Sequence, residues 1–180
     1  SDIEIKDLSY RYLGSDNLVL DNLCLNIPAN KITAIVGASG SGKTTLMKLL
    51  LKFYDPEKGE INIGNAQLKN VSQKAWRANI GAVMQEGFIF SDTIANNIAI
   101  GVDKVDKERL VYAADVANIK EYVSGLPLGY NTKIGSEGVG MSTGQKQRLL
   151  IARAVYKNPE MLFFDEATSS LEKKKKREIM

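Results

Sequence analysis

Residues 37–44 read Gly-Ala-Ser-Gly-Ser-Gly-Lys-Thr, a complete match to G-x-x-x-x-G-K-S/T. This spacing constrains the fold because it works as a loop between a strand and a helix. The flanks supply both. Residues 31–36, Lys-Ile-Thr-Ala-Ile-Val, are a short apolar run that predicts a strand. Leu46, Leu49, Leu50 and Phe53 fall at the i, i+3, i+4, i+7 spacing of a helix. Glycines let the backbone turn and approach a phosphate closely, while successive N–H groups and the helix start face the anion. The expected cradle is Gly37, Ala38, Ser39, Gly40, Ser41, Gly42, Lys43, Thr44 and Thr45. Lys43 adds a point charge toward the outer phosphates, and the Thr44 hydroxyl is the expected Mg2+ ligand. The ligand type this names is a triphosphate with magnesium.

A second constellation follows far downstream. Residues 161–166 read Met-Leu-Phe-Phe-Asp-Glu. Four apolar residues predict a strand buried on both faces, with two acids at its carboxyl end, where open α/β sheets bind ligands. Asp165 suits the magnesium site, directly or through water. Glu166 suits polarisation of an attacking water. A third piece, Ser142-Thr143-Gly144-Gln145, has the form of a capping box at the start of a helix. The same serine and glycine at a helix N-terminus also form an anion site, and the two readings are compatible.

Other features narrow the partners. The four lysines at 173–176 and Arg177 hold five of the 24 basic residues, and Glu172 and Glu178 two of the 21 acidic ones. The remainder is charge-balanced, so no nucleic-acid partner is expected. There is no histidine, which excludes histidine-ligated metal and histidine acid–base chemistry within this chain. The single cysteine, Cys24, permits no internal disulfide and fits a reducing compartment. No apolar run approaches the length of a membrane span.

Residues 2–36 read as β structure, with Ile3 and Ile5 and then Leu23, Leu25 and Ile27 alternating. Residues 42–54 predict a helix, 61–63 a strand, 72–79 a short helix and 80–84 a strand. Residues 92–124 read as mostly helical, and 125–141 as glycine-rich and irregular. A helix over about 143–157 stops before Pro159.

Three segments in this order, GASGSGKT, MSTGQKQRLLIARA and MLFFDEATSSL, resemble the nucleotide-binding domain of ABC transporters. The resemblance covers nearly the whole chain. It implies an α/β fold: a P-loop NTPase (RecA-like) core, an N-terminal antiparallel β-subdomain and an inserted α-helical subdomain. On this reading 1–180 is one ATP-binding domain. Residues 1–36 are mostly β-subdomain, 37–85 and 159–180 core, and 86–158 the helical subdomain and signature helix. The resemblance also implies roles. Gln85 matches a glutamine that ligates magnesium and reports to a membrane domain. Tyr12 matches an aromatic that stacks on adenine, with Tyr10 the neighbouring candidate, and either fits an ordinary strand aromatic. Ser142, Gly144 and Gln145 match the signature motif that contacts the γ-phosphate held by a partner, and 169–172 match the D-loop.

Residues 85–98 and 126–132 are similar to exporter-type domains, and the Met-Ser-Thr-Gly-Gln wording at 141–145 to exporters of peptides or bacteriocins. The resemblance thus implies ATP hydrolysis coupled to export, with ATP and Mg2+ as cofactors. The implied partners are a second such domain, closing head to tail, and the transporter's transmembrane domain, at the cytoplasmic face of a membrane. Three departures stand out. Thr143 replaces a usual glycine, Glu172 replaces the D-loop aspartate, and the switch histidine is absent. The C-terminal part of the core is expected to be missing, and such a chain is expected to be weakly active or inactive alone.

Overall fold

The computed structural model describes residues 1–84 and 87–165. They form two compact units, one of Ser1–Arg77 and one that begins at Ala78. The first holds a four-stranded sheet in the order β2-β1-β3-β4, from β1 (Ile3–Tyr10), β2 (Leu20–Ile27), β3 (Lys58–Ile63) and β4 (Ala66–Gln67). Every pairing in it is antiparallel.

The buried apolar positions of β1 are Ile3, Ile5, Leu8 and Tyr10, which break the two-residue alternation once. A bulge explains the break. Pairing with β2 passes from Ile5↔Leu25 to Leu8↔Leu23, and pairing with β3 from Lys6↔Glu60 to Ser9↔Lys58. β1 therefore spends one extra residue, and Asp7 takes it up at φ 48°. Gly59 lies against this bulge at φ 81°. A Cβ there would run into the backbone carbonyls of Lys6 and Asp7.

Helix α1 (Lys43–Leu50) buries Thr45, Leu46, Met47, Leu49 and Leu50. It is shorter than the 42–54 expected from spacing. Lys52 turns left-handed at φ 55°, which ends the helix and leaves Phe53 exposed. Helix α2 (Gln73–Asn79) supplies partners for that end. Trp76 Nε1 donates to Leu50 O at 2.7 Å, and Gln73 Nε2 to Lys52 O at 2.7 Å.

The expected strand over 31–36 does not form. These residues carry no strand assignment, and Ile32 and Val36 are exposed. A lone extended segment gains stability only by pairing, and none of the described strands pairs with it.

The second unit contains two parallel strands, β5 (Ile80–Val83) and β6 (Met161–Phe164), paired from Ile80↔Met161 to Val83↔Phe164. Its helices are α3 (Ile94–Ile98), α4 (Lys107–Val116), α5 (Lys120–Ser124) and α6 (Thr143–Tyr156). Ala113 and Ala114 of α4 and Ala152 of α6 are fully buried, beside Ile94, Leu149 and Ile134. Their small side chains let helices pack closely.

Residues 92–124 are mostly helical, as expected, in three helices with breaks marked by positive φ at Gly101 and Asn118. One expectation needs correction here. β6 is a strand, as its apolar run predicts, but it is not buried on both faces. Leu162 is 43% and Phe164 45% exposed, because among the described residues β6 pairs with β5 alone.

The bulge yields a stability prediction. Gly59→Ala should cost about 2 kcal/mol or more in urea unfolding, from backbone collision added to strain at positive φ. Gly14, also at φ 81° but with open space around it, should cost only about 1 kcal/mol as Gly14→Ala. Equal losses would show that the bulge contact contributes nothing.

Candidate functional site: a phosphate loop and its neighbours

In the first unit the 37–42 loop feeds directly into α1. Gly40 and Gly42 have φ 79° and 89°, conformations that favour glycine. At Gly42 a Cβ would also press on Leu20 Cδ2 at 2.7 Å. Ser41 N donates to Ala38 O at 3.2 Å, which closes the turn.

The start of α1 is open in the chemical sense. Its cap residue is Gly42, no side chain caps it, and its first turn contains no acid. The N–H groups there have no intrahelical acceptor, and the helix dipole favours an anion. Lys43 sits on this turn. Its Nζ donates to the carbonyls of Gly37 and Ala38, each at 2.8 Å, and to Ser41 Oγ at 3.4 Å. The ammonium is thus held at the mouth of the loop. Thr44 is half-buried and Thr45 buried. Donors converging on a glycine-built loop suit phosphate oxygens, and the Thr44 hydroxyl is the hard oxygen donor that Mg2+ takes.

Near this loop lies an aromatic cluster. Tyr12 meets Tyr10 edge-on with ring centroids 5.3 Å apart, and Tyr54 edge-on at 5.7 Å. Tyr10 and Tyr54 stack at 5.6 Å. Tyr10 is buried within β1, and burial first, then its tyrosine neighbours, raises its pKa. Tyr12 lies beyond the strand end and is half-buried. With Arg11, Tyr54 and Glu57 it lines an open cleft of about 360 Å3. An Arg11–Glu57 ion pair at 2.8 Å, with Arg11 Nη1 donating to Asp16 O at 3.1 Å, holds the cleft's loop.

In the second unit Asp165 follows β6 directly. It is 5% exposed, and its N–H donates to Val83 O at 2.9 Å. Its carboxyl group is therefore carried at the carboxyl end of a parallel strand. Gln85, Glu166 and the 169–172 segment lie outside the described residues.

Helix α6 starts with a complete capping box. Ser142 Oγ accepts from Gln145 N at 3.2 Å, and Gln145 Oε1 accepts from Ser142 N at 2.8 Å. Ser142 and Gly144 are exposed, and Gly144 has open space where a Cβ would stand. A contact with an external group is sterically open at this helix start.

Sequence reading missed one constellation in this unit. Arg153, half-buried on α6, donates to Asn97 O at 2.8 Å, Phe88 O at 2.9 Å and Asn97 Oδ1 at 3.3 Å. Burial lowers its pKa from the ordinary arginine value. Asn97, fully buried on α3, in turn accepts from Phe90 N and donates to Phe90 O. The pair fastens the segment after Gln85 to the helix that begins at Ser142. The available signal was a polar Asn97 within an apolar Ile-Ala-Asn-Asn-Ile run.

Comparison with known proteins follows the same lines. The family model of ABC transporters matches residues 20–169. ABC transporter B family member 14 of Arabidopsis thaliana is 43% identical over 94% of this chain and 14% of its own length. The ATP-dependent lipid A-core flippase of Haemophilus influenzae is 42% identical over 98% of this chain and 30% of its own. A solved bacterial Atm1-family ABC exporter with ATP bound superposes with a TM-score of 0.89 at 39% identity, over 99% of this chain and 31% of that one. The chain thus spans less than a third of the length of these proteins.

The capping box predicts a measurable coupling. Ser142→Ala should destabilise the second unit by about 1 kcal/mol in denaturant unfolding. Adding Gln145→Ala should cost less than the sum of the two single changes, since they share one motif. Strict additivity would contradict reciprocal capping.

Proposed function

This chain belongs to the ABC transporter family, and on that premise we propose that it is the ATP-binding and ATP-hydrolysing domain of an exporter. The observation that carries the reading is the start of α1: a glycine loop, an uncapped helix N-terminus free of acid, and the Lys43 ammonium among its carbonyls.

In this reading the amides of 37–45 and Lys43 hold the phosphates, and Tyr12 stacks on the base. Thr44, Gln85 and Asp165 supply oxygen donors to Mg2+, which when bound neutralises phosphate charge during transfer. Glu166 accepts the proton of the attacking water. Ser142, Gly144 and Gln145 act on the nucleotide of a second copy, so a site is complete only when two domains close head to tail. Arg153 and Asn97 then couple the Gln85 segment to the signature helix, and through it movement reaches a transmembrane domain at the cytoplasmic face.

The exporter assignment is supported by the relatives' names and by the similarity of residues 85–98. Among the described residues no helix is long and apolar enough to cross a membrane, so the reading assigns the crossing to that other domain. A peptide cargo, suggested by the 141–145 wording, is its finer part.

The decisive experiment uses the full-length transporter. Glu166→Gln should lower steady-state phosphate release by about 100-fold or more while ATP binding persists. Lys43→Ala should instead abolish ATP binding at concentrations that saturate the wild type. Undiminished turnover in Glu166→Gln would remove the hydrolytic role assigned to that carboxylate.

A further inference from the structure

The hydroxyls of Tyr12 and Thr45 share a hydrogen bond at 2.8 Å, across 33 positions of sequence. Thr45 is 5% exposed and stands two residues after Lys43, on the first turn of α1. Tyr12 lies past the end of β1, and its carbonyl accepts from Ser15 N in a turn at 3.0 Å. No strand ladder sets the direction of its side chain. Instead the ring is held by edge contacts with Tyr10 and Tyr54, and at its tip by Thr45. A β-branched threonine in a helix has few side-chain rotamers, so its hydroxyl is a stiff anchor.

We propose that Thr45 is a positioning residue for Tyr12: its hydroxyl fixes the tyrosine ring relative to the phosphate loop, so base and phosphates are bound by one pre-set unit. This rests on the reading that Tyr12 faces the base. A ring already held loses less freedom on meeting the base, and that raises affinity for a nucleotide over a bare polyphosphate. The turn that carries Lys43 and the ring that meets the base are then registered by a single bond.

A double-mutant cycle on the full chain tests this, with equilibrium binding of ATP and of inorganic tripolyphosphate as paired probes. Tyr12→Phe and Thr45→Val should each weaken ATP binding about fivefold, and the double variant no further. Tripolyphosphate, which carries no base, should lose less affinity than ATP in both variants. Thr45→Ser keeps the hydroxyl and should restore ATP affinity. The proposal is overturned if the two losses multiply, if Thr45→Val weakens tripolyphosphate equally, or if Thr45→Ser is as weak as Thr45→Val. Tyr12→Ala separates the underlying reading. If it weakens ATP binding while Tyr12→Phe does not, positioning fails but base contact stands. If Tyr12→Ala binds ATP like the wild type, the base-facing role itself falls.

Discussion

A helix begins with backbone N–H groups that its own turns do not satisfy, and chains usually cover them with a side chain. Two helices of the proposed reading, one in each unit, differ on this point. Helix α6 covers its start with Ser142 and Gln145 in a reciprocal pair. Helix α1 has no side-chain cap: its cap residue is Gly42, and no carboxylate lies in its first turn. Much of the first unit bears on keeping that end open. Gly40 and Gly42 accept positive φ so that the chain can enter the helix without placing side chains over it. Lys43 turns its charge back onto the loop carbonyls, a set of partners that phosphate oxygens would replace in kind.

The opposite end of α1 is treated in the reverse manner. There the carbonyls of Leu50 and Lys52 receive donors from Trp76, Gln73 and Arg77. Lys52, held at positive φ, sends its own ammonium to the carbonyls of Leu68 and Val71 at 2.9 and 2.6 Å. One end is thus fastened by side chains while the other is left to an anion. Fixing the far end of a short helix holds its open end steady, which is what a rigid phosphate site needs.

In the second unit a comparable economy appears around Arg153. A guanidinium removed from water needs acceptors, and it finds them in the carbonyls of Phe88 and Asn97 and in the Asn97 amide oxygen. Gly87 lies so close to Leu150 that a Cβ would collide with it. The loop that follows Gln85 is therefore pressed against α6 by packing and tied to it by charge-assisted bonds. On the proposed reading, in which this domain passes nucleotide chemistry on to a partner, this is where stiffness is useful.

The glycine loop, the first helix, the capping box and the short apolar strand before Asp165 were all legible in the sequence. Each depends on local spacing: side-chain periodicity, glycine dihedrals and a serine three residues before a glutamine. Family membership was legible for the same reason, since three separate motifs occur in one order. What depends on distant neighbours was not legible. Residues 31–36 have the composition of a strand, yet a strand exists only with a partner, and none of the described strands pairs with them. Phe164 and Leu162 are apolar, yet their exposure follows from what packs over β6. The Tyr12–Thr45 bond and the Arg153–Asn97 link join residues 33 and 56 positions apart, and the bulge at Asp7 depends on a register shared by three strands. Sequence determined which local shapes and which ligand chemistry this chain can support. Tertiary structure alone decided which side chains meet, because burial and hydrogen bonding over such separations are properties of the packed chain and not of any single segment.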